Sequence, residues 1–95
     1  MISLIDKKQI NDFKLKNPSW ILYNNSLKKE FKFDNFIDAF SFMTKVALLS
    51  EKINHHPNWQ NIYNKVTIEL TTHDMGGITS NDIKLAEAID QSINT

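Results

Sequence analysis

The spacing of apolar positions along the 95-residue chain changes several times, and each change marks an element. "SLIDKKQINDFKLKN" sets Leu4, Ile5, Ile10, Phe13 and Leu15 at loose helical intervals, with Ser3 as a candidate N-cap and Pro18 as the stop. "WILYN" and "LKKEFKF" read as two short strands around the turn residues Asn24, Asn25 and Ser26. In the second strand, Phe31 and Phe33 alternate with Glu30 and Lys32. "DNFIDAFSFMTKVALLSEKIN" is the strongest helical segment: Asp34 can cap it, and Phe36, Phe40, Met43, Val46, Ala47 and Ile53 recur at three- and four-residue steps. Phe42, Leu48 and Leu49 fall beside that stripe, so the apolar surface is wider than one sheet face needs. Part of it is expected to meet another subunit. After Pro57, "WQNIY" and "KVTIELTTH" read as a hairpin, with Val66, Ile68 and Leu70 on one face and Thr67, Glu69 and Thr71 on the other. Gly76 and Gly77 free the backbone for the next turn, and "TSNDIKLAEAIDQSI" closes as a helix bearing Leu85, Ala86, Ile89 and Ile93 on one side.

Helix, two strands, helix, two strands, helix is the order of an α+β fold. It predicts a two-layer sandwich in which a four-stranded antiparallel sheet carries helices on one face. The length fits one domain over residues 1–95, small enough that association into oligomers would add stability. Eleven basic and eleven acidic residues cancel, which argues against direct nucleic-acid binding. The cluster Lys7, Lys8, Lys14 and Lys16 is interleaved with Asp6 and Asp12 and reads as a solvated helix face. Cysteine is absent, which removes disulfides and thiolate chemistry. No run approaches the roughly 18 apolar residues of a membrane helix, and "MISLIDKKQI" lacks the apolar core of a secretory signal. A soluble cytoplasmic protein is expected.

All three histidines and both glycines lie within residues 51–77. Imidazole titrates at about pH 6.5, so it can give or take a proton at neutral pH. His55 and His56 stand where the long helix must end, because Pro57 biases His56 towards extended backbone. His73 follows a strand, and a helix end and a strand end both deliver side chains into loops, where sites form on rigid scaffolds. On residue chemistry alone, surface histidines at a helix end remain an open alternative. Neutral imidazoles also bind zinc, with Glu51 and Asp74 as supplements, but the adjacent pair lacks the i, i+4 spacing that offers two ligands from one helix. A glycine-flanked serine elbow and a phosphate-binding loop are both missing. Glu51 sits one turn before His55 and either orients it or is a surface carboxylate. Asp82, three residues after Thr79, suits the acidic end of a capping box. Trp59 and Tyr63 are either core aromatics or flanks for a flat ring.

"EKINHHPNW", "YNKVTIELTTH" and "GGITSNDIKLA" closely resemble the pterin-4a-carbinolamine dehydratases, also known as dimerisation cofactors of a homeodomain transcription factor. The likeness runs from about Trp20 to Ile89 and is carried by Glu51, His55-His56-Pro57, Tyr63, His73 and Asp82. It implies loss of water from a 4a-hydroxy-tetrahydropterin to give the quinonoid dihydropterin, recycling the pterin of aromatic amino-acid hydroxylases without metal or organic cofactor. It further implies that His55, His56 and His73 act in acid–base catalysis, with Asn54, His55 and His56 lining one side of the pterin and Thr71, Thr72, His73 and Asp74 the other. Glu51 and Asp82 become supporting residues. The family usually has an acid at position 54 and a base at position 81; here both are asparagine. Family members form dimers through sheet edges and often tetramers through the long helices, so a homodimer or homotetramer is expected. In animal members the long helix also engages a transcription factor, and Phe42, Thr44, Lys45, Leu48, Leu49 and Lys52 are the candidates here for such a surface. The alternative to the enzyme is thus a non-catalytic oligomeric binding module. The catalytic reading requires three imidazoles, brought from separate backbone segments, to converge on one small hollow.

Overall fold

The computed structural model describes residues 3–93; the two residues at each end of the single-domain reading 1–95 lie outside the described residues. Helix α1 (Lys7–Lys16) leads into strands β1 (Ile21–Tyr23) and β2 (Ser26–Lys32). Helix α2 (Phe36–Ile53), strands β3 (Asn58–Ile62) and β4 (Lys65–Leu70), and helix α3 (Ser80–Ile93) follow. The four strands form one antiparallel sheet in the order β1-β2-β4-β3. This is the α+β arrangement that the alternating periodicities predict.

Each hairpin loop follows from its residues. Tyr23 pairs with Ser26, leaving Asn24 and Asn25 as a two-residue loop with φ of 46° and 63°. Left-handed backbone at both positions matches the twist of the flanking strands, and asparagine tolerates it better than most side chains. In the β3–β4 loop the left-handed residue is Tyr63, at φ 51°, a conformation that is strained for a bulky side chain. Asn64 braces this loop: its Nδ2 donates to Phe33 O at 2.9 Å and its carbonyl accepts from Phe33 N–H at 2.9 Å.

Val66, Ile68 and Leu70 alternate along β4 and are fully buried, as their period-two spacing requires. They meet Leu27 and Phe31 of β2, Ala39, Phe42 and Val46 of α2, and Leu85, Ala86 and Ile89 of α3 in one core. Phe42 is the hinge of this packing, with ring centroids 4.8 Å from Phe31 and 5.0 Å from Phe33. Each buried Val, Leu, Ile or Phe among them contributes about 1.5–3 kcal/mol of transfer free energy. At the edge of the core, buried Trp20 donates its Nε1–H to Asp90 of α3 at 3.0 Å, and Lys29 Nζ reaches the same carboxylate at 2.8 Å.

The long helix corrects the stripe expected for its core face. Phe36 and Phe40 are about half exposed, at 47% and 55%, and Ala47 is exposed, whereas Phe42 is buried. Two apolar stripes run along α2, and residues two apart lie about 200° around a helix, so Phe40 and Phe42 face opposite ways. The stripe Ala39, Phe42, Val46 and Ser50 packs inward because it meets Phe31 and Phe33. Phe36, Ile37, Phe40 and Leu48 form the outward apolar face, together with exposed Thr44, Lys45 and Lys52. Phe42 and half-buried Leu49 therefore belong to the core rather than to a partner surface.

Caps also move. Asp6, not Ser3, starts α1: Gln9 N–H donates to Asp6 Oδ1 and Asp6 N–H to Gln9 Oε1, a reciprocal box that Ser3 has no equivalent means to close. The chain before it is extended, with Leu4 bridging to Thr79 and Ile5 N–H donating to Ile78 O. Asn35 replaces Asp34 as the cap of α2, accepting from Asp38 N–H at 2.8 Å. Among the described residues no helix is long and apolar enough to cross a membrane.

Candidate active site

Five segments meet at one end of the sheet. Asn58 pairs with Glu69, so the start of β3 lies beside the end of β4, and Leu27 pairs with Leu70, which brings the Asn24–Asn25 loop to the same end. Thr71 fastens that loop, its Oγ1 donating to Asn25 O at 3.0 Å. The end of α2 feeds β3 here, and the start of α3 returns here through the bridge between Thr72 and Gly77.

Asn54, not Pro57, ends α2. Its backbone is left-handed (φ 52°, ψ 47°), with Asn54 N–H donating to Glu51 O and His55 N–H to Ser50 O. That pair of bonds is the Schellman closure, which favours glycine and, among residues with side chains, asparagine. The departure from an acid at this position therefore suits the local backbone. Pro57 then keeps the exit extended into β3.

The two adjacent imidazoles take different partners. His55 Nε2 lies 2.5 Å from Asp82 Oδ1; the histidine side chain is 11% exposed and the aspartate is fully buried. His56 Nε2 lies 2.6 Å from Glu51 Oε1, with both side chains largely in solvent. The expectation that Glu51 orients His55 is thus corrected: the left-handed residue turns the chain so that His55 reaches α3, and Glu51 is left to His56. Asp82 does close the first turn of α3 as its position after Thr79 suggests, with Oδ2 accepting from Thr79 N–H at 2.9 Å. It also accepts from Thr72 Oγ1 at 2.9 Å, and Thr72 Oγ1 lies 2.7 Å from Thr79 Oγ1. Every buried side-chain polar atom among the described residues has a partner.

His73 opens a short 3₁₀ turn, His73–Met75, which closes when Gly76 N–H donates to His73 O. Gly76 has φ 71°, so the tight return from His73 to Gly77 uses the freedom that only glycine has without strain. His73 and Asp74 are exposed on this turn, and Asn54 is exposed on the facing helix end. Tyr63 is not part of this assembly. Five residue steps separate it from Asn58 along β3, roughly 16 Å in a strand, so it stands at the opposite end of the sheet. Trp59 is half buried and packs on the core.

The segments bearing His55, His56 and His73 therefore share one end of the molecule. A cleft of about 390 Å³ opens nearby between the start of α1, the Asn24–Asn25 loop and Gly76–Ile78, and none of its lining residues is a histidine. Among the described residues, no three His, Asp or Glu side chains are grouped to hold a metal ion. Thr79 was missed as a site residue. Its capping relation to Asp82 is visible in the sequence, but its link to Thr72 is tertiary and leaves no local signal.

Comparison with known proteins agrees over nearly the whole chain. The family model described as pterin 4 alpha carbinolamine dehydratase matches residues 3–92. A Prochlorococcus marinus (strain NATL2A) protein, provisionally named as a pterin-4-alpha-carbinolamine dehydratase, is 73% identical over 95 residues, the full length of both chains. A protein of the same provisional name from strain MIT 9515 is 51% identical over 88 residues, 93% of this chain and 92% of its own. A crystal structure from Brucella melitensis, described as a transcriptional coactivator/pterin dehydratase, superposes with a TM-score of 0.89 at 34% identity, covering 94% of this chain and 97% of the other. The chain belongs to the pterin 4 alpha carbinolamine dehydratase family.

Proposed function

We propose that this protein is a hydro-lyase that converts a 4a-hydroxy-tetrahydropterin to quinonoid dihydropterin and water. The match of residues 3–92 to a dehydratase family carries this reading. The site chemistry is compatible with it. The C4a–O bond breaks as the hydroxyl leaves with an added proton. The N5–H electrons become the C4a=N5 double bond as that proton is withdrawn. One proton is given and one is taken, so imidazoles suffice, and such assistance is typically worth about 10²- to 10⁴-fold.

In this proposal His55, His56 and His73 share the proton transfers. Asn54, Thr71, Thr72 and Asp74 contribute pterin contacts through main-chain or side-chain groups beside them. Glu51 and Asp82 hold His56 and His55 respectively, as their 2.6 and 2.5 Å contacts suggest. The physiological role is to restore the pterin spent by an aromatic amino-acid hydroxylase. Purified protein is expected to accelerate the decay of enzymatically generated 4a-hydroxy-tetrahydropterin, and His73→Ala to remove most of that rate. A wild-type rate equal to buffer alone would end the proposal.

The outward face of α2 favours a second, compatible reading. Phe36, Ile37, Phe40 and Leu48 are exposed together on one helix, a surface suited to association. In this reading the chain forms a homodimer or homotetramer and presents that assembly to a protein partner. Light scattering that finds only a monomer at micromolar concentration, for wild type as for Phe40→Ser, would remove it.

A further inference from the structure

We infer that Thr79 and Thr72 form a one-way hydroxyl chain into Asp82 that holds His55 as its Nε2–H tautomer, leaving Nδ1 as the nitrogen with the free lone pair. Both threonines are then positioning residues. The inference builds on the proposed catalytic use of His55, but the proton order itself follows from counting donors.

Asp82 is fully buried, and as a carboxylate it can only accept. Thr79 N–H is one donor to Oδ2, at 2.9 Å. Thr72 Oγ1, also 2.9 Å from Oδ2, must spend its single proton there. Thr72 can therefore only accept across the 2.7 Å contact with Thr79 Oγ1, so the Thr79 hydroxyl points at Thr72. Thr79 Oγ1, its proton spent, accepts in turn from Asn81 N–H at 3.3 Å. Each atom has one consistent role, and the chain runs from the first turn of α3 through Thr79 and Thr72 to the carboxylate. With Oδ2 saturated, Oδ1 is left to receive His55 Nε2 at 2.5 Å, which requires a proton on Nε2. In a neutral imidazole the other nitrogen is then an acceptor, ready to take a proton.

The arrangement gives Thr72 a task that its place in the "TTHD" segment conceals. Its proton is committed to Asp82, so towards a bound ring this hydroxyl could only accept. Thr71 differs, its hydroxyl serving the Asn24–Asn25 loop instead. Removing the Thr72 hydroxyl takes away one of the two donors that hold Oδ2 and leaves the Thr79 proton without its acceptor.

The test combines a spectrum with kinetics. In ¹⁵N-labelled protein, long-range ¹H–¹⁵N correlation of the ring nitrogens should show His55 as the Nε2–H form. An Nδ1–H form overturns the inference, whatever the activity. Turnover is then compared for Thr72→Val, which keeps the shape, and Thr72→Ser, which keeps the hydroxyl. Valine should lower kcat about 10-fold, the scale of a slightly misplaced catalytic group, with KM changed less than about 2-fold. Serine should restore kcat to within about 2-fold of wild type. Because the hydroxyls act in series, Thr79→Ser should behave as wild type, and Thr72→Val should cost no more when Thr79 is also valine. A wild-type kcat for Thr72→Val, or losses that multiply in the double variant, would sink the chain. Should wild type lack turnover while His55 is still the Nε2–H form, the proposed function fails and the proton order stands.

Discussion

His55 and His56 are neighbours in the chain, and their contacts to a carboxylate differ by only 0.1 Å (2.5 against 2.6 Å), yet the two pairs are physically unlike. The His55 side chain is 11% exposed and its partner Asp82 is fully buried, held by Thr72 and Thr79 and tied to a second helix. His56 and Glu51 are exposed on a helix end, free to trade each other for water. Contact distance does not set what a pair is worth; burial and the company of other donors do. A buried carboxylate cannot be removed without orphaning its donors, whereas an exposed one leaves its donor to solvent.

The strongest attempt to break this contrast is Asp82→Ala. It strands His55 Nε2, the Thr72 hydroxyl and Thr79 N–H, and should destabilise the fold by about 3–5 kcal/mol in urea titration. A loss below about 1 kcal/mol would show that these groups find water and that burial is not the deciding factor. Next in size is the residue that sends the two rings to different helices. Asn54→Ala should cost about 1 kcal/mol because alanine resists left-handed backbone, whereas Asn54→Gly should be neutral or slightly stabilising. Equal costs for both would place the effect in the lost amide and not in the turn. The smallest effect belongs to Glu51→Gln, expected within about 0.5 kcal/mol and shrinking further in salt. Parity with Asp82→Ala would erase the distinction between the pairs.

Much of this was legible in the sequence, and the failures share a cause. The period-two run in β4 has one reading, since Val66, Ile68 and Leu70 leave no other buried face. In α2 both sides carry large apolar residues, so spacing alone could not choose between the Phe40 stripe and the Phe42 stripe; contact with Phe31 and Phe33 decides it. The histidine partners failed for a similar reason. Glu51 at i, i+4 is the natural partner for His55 only if the helix continues, and a single left-handed residue at Asn54 breaks that geometry. Asp82 was legible as a helix-start residue because capping is local. The family resemblance placed it near the site as a supporting residue, but its bond to an imidazole 27 residues earlier is tertiary and had no sequence signal.

Helix α3 is riveted at two points of its length. Asp82 binds it to the loop and helix end beneath, and Asp90, shared by Trp20 and Lys29, binds it to β2 and the segment before β1. Adding or deleting one residue between them would swing one rivet about 100° around the axis and slide it about 1.5 Å. Outward positions such as Lys84 and Glu87 can drift freely under mutation. The spacing between the two aspartates, eight positions along the helix, cannot change without breaking one of these contacts.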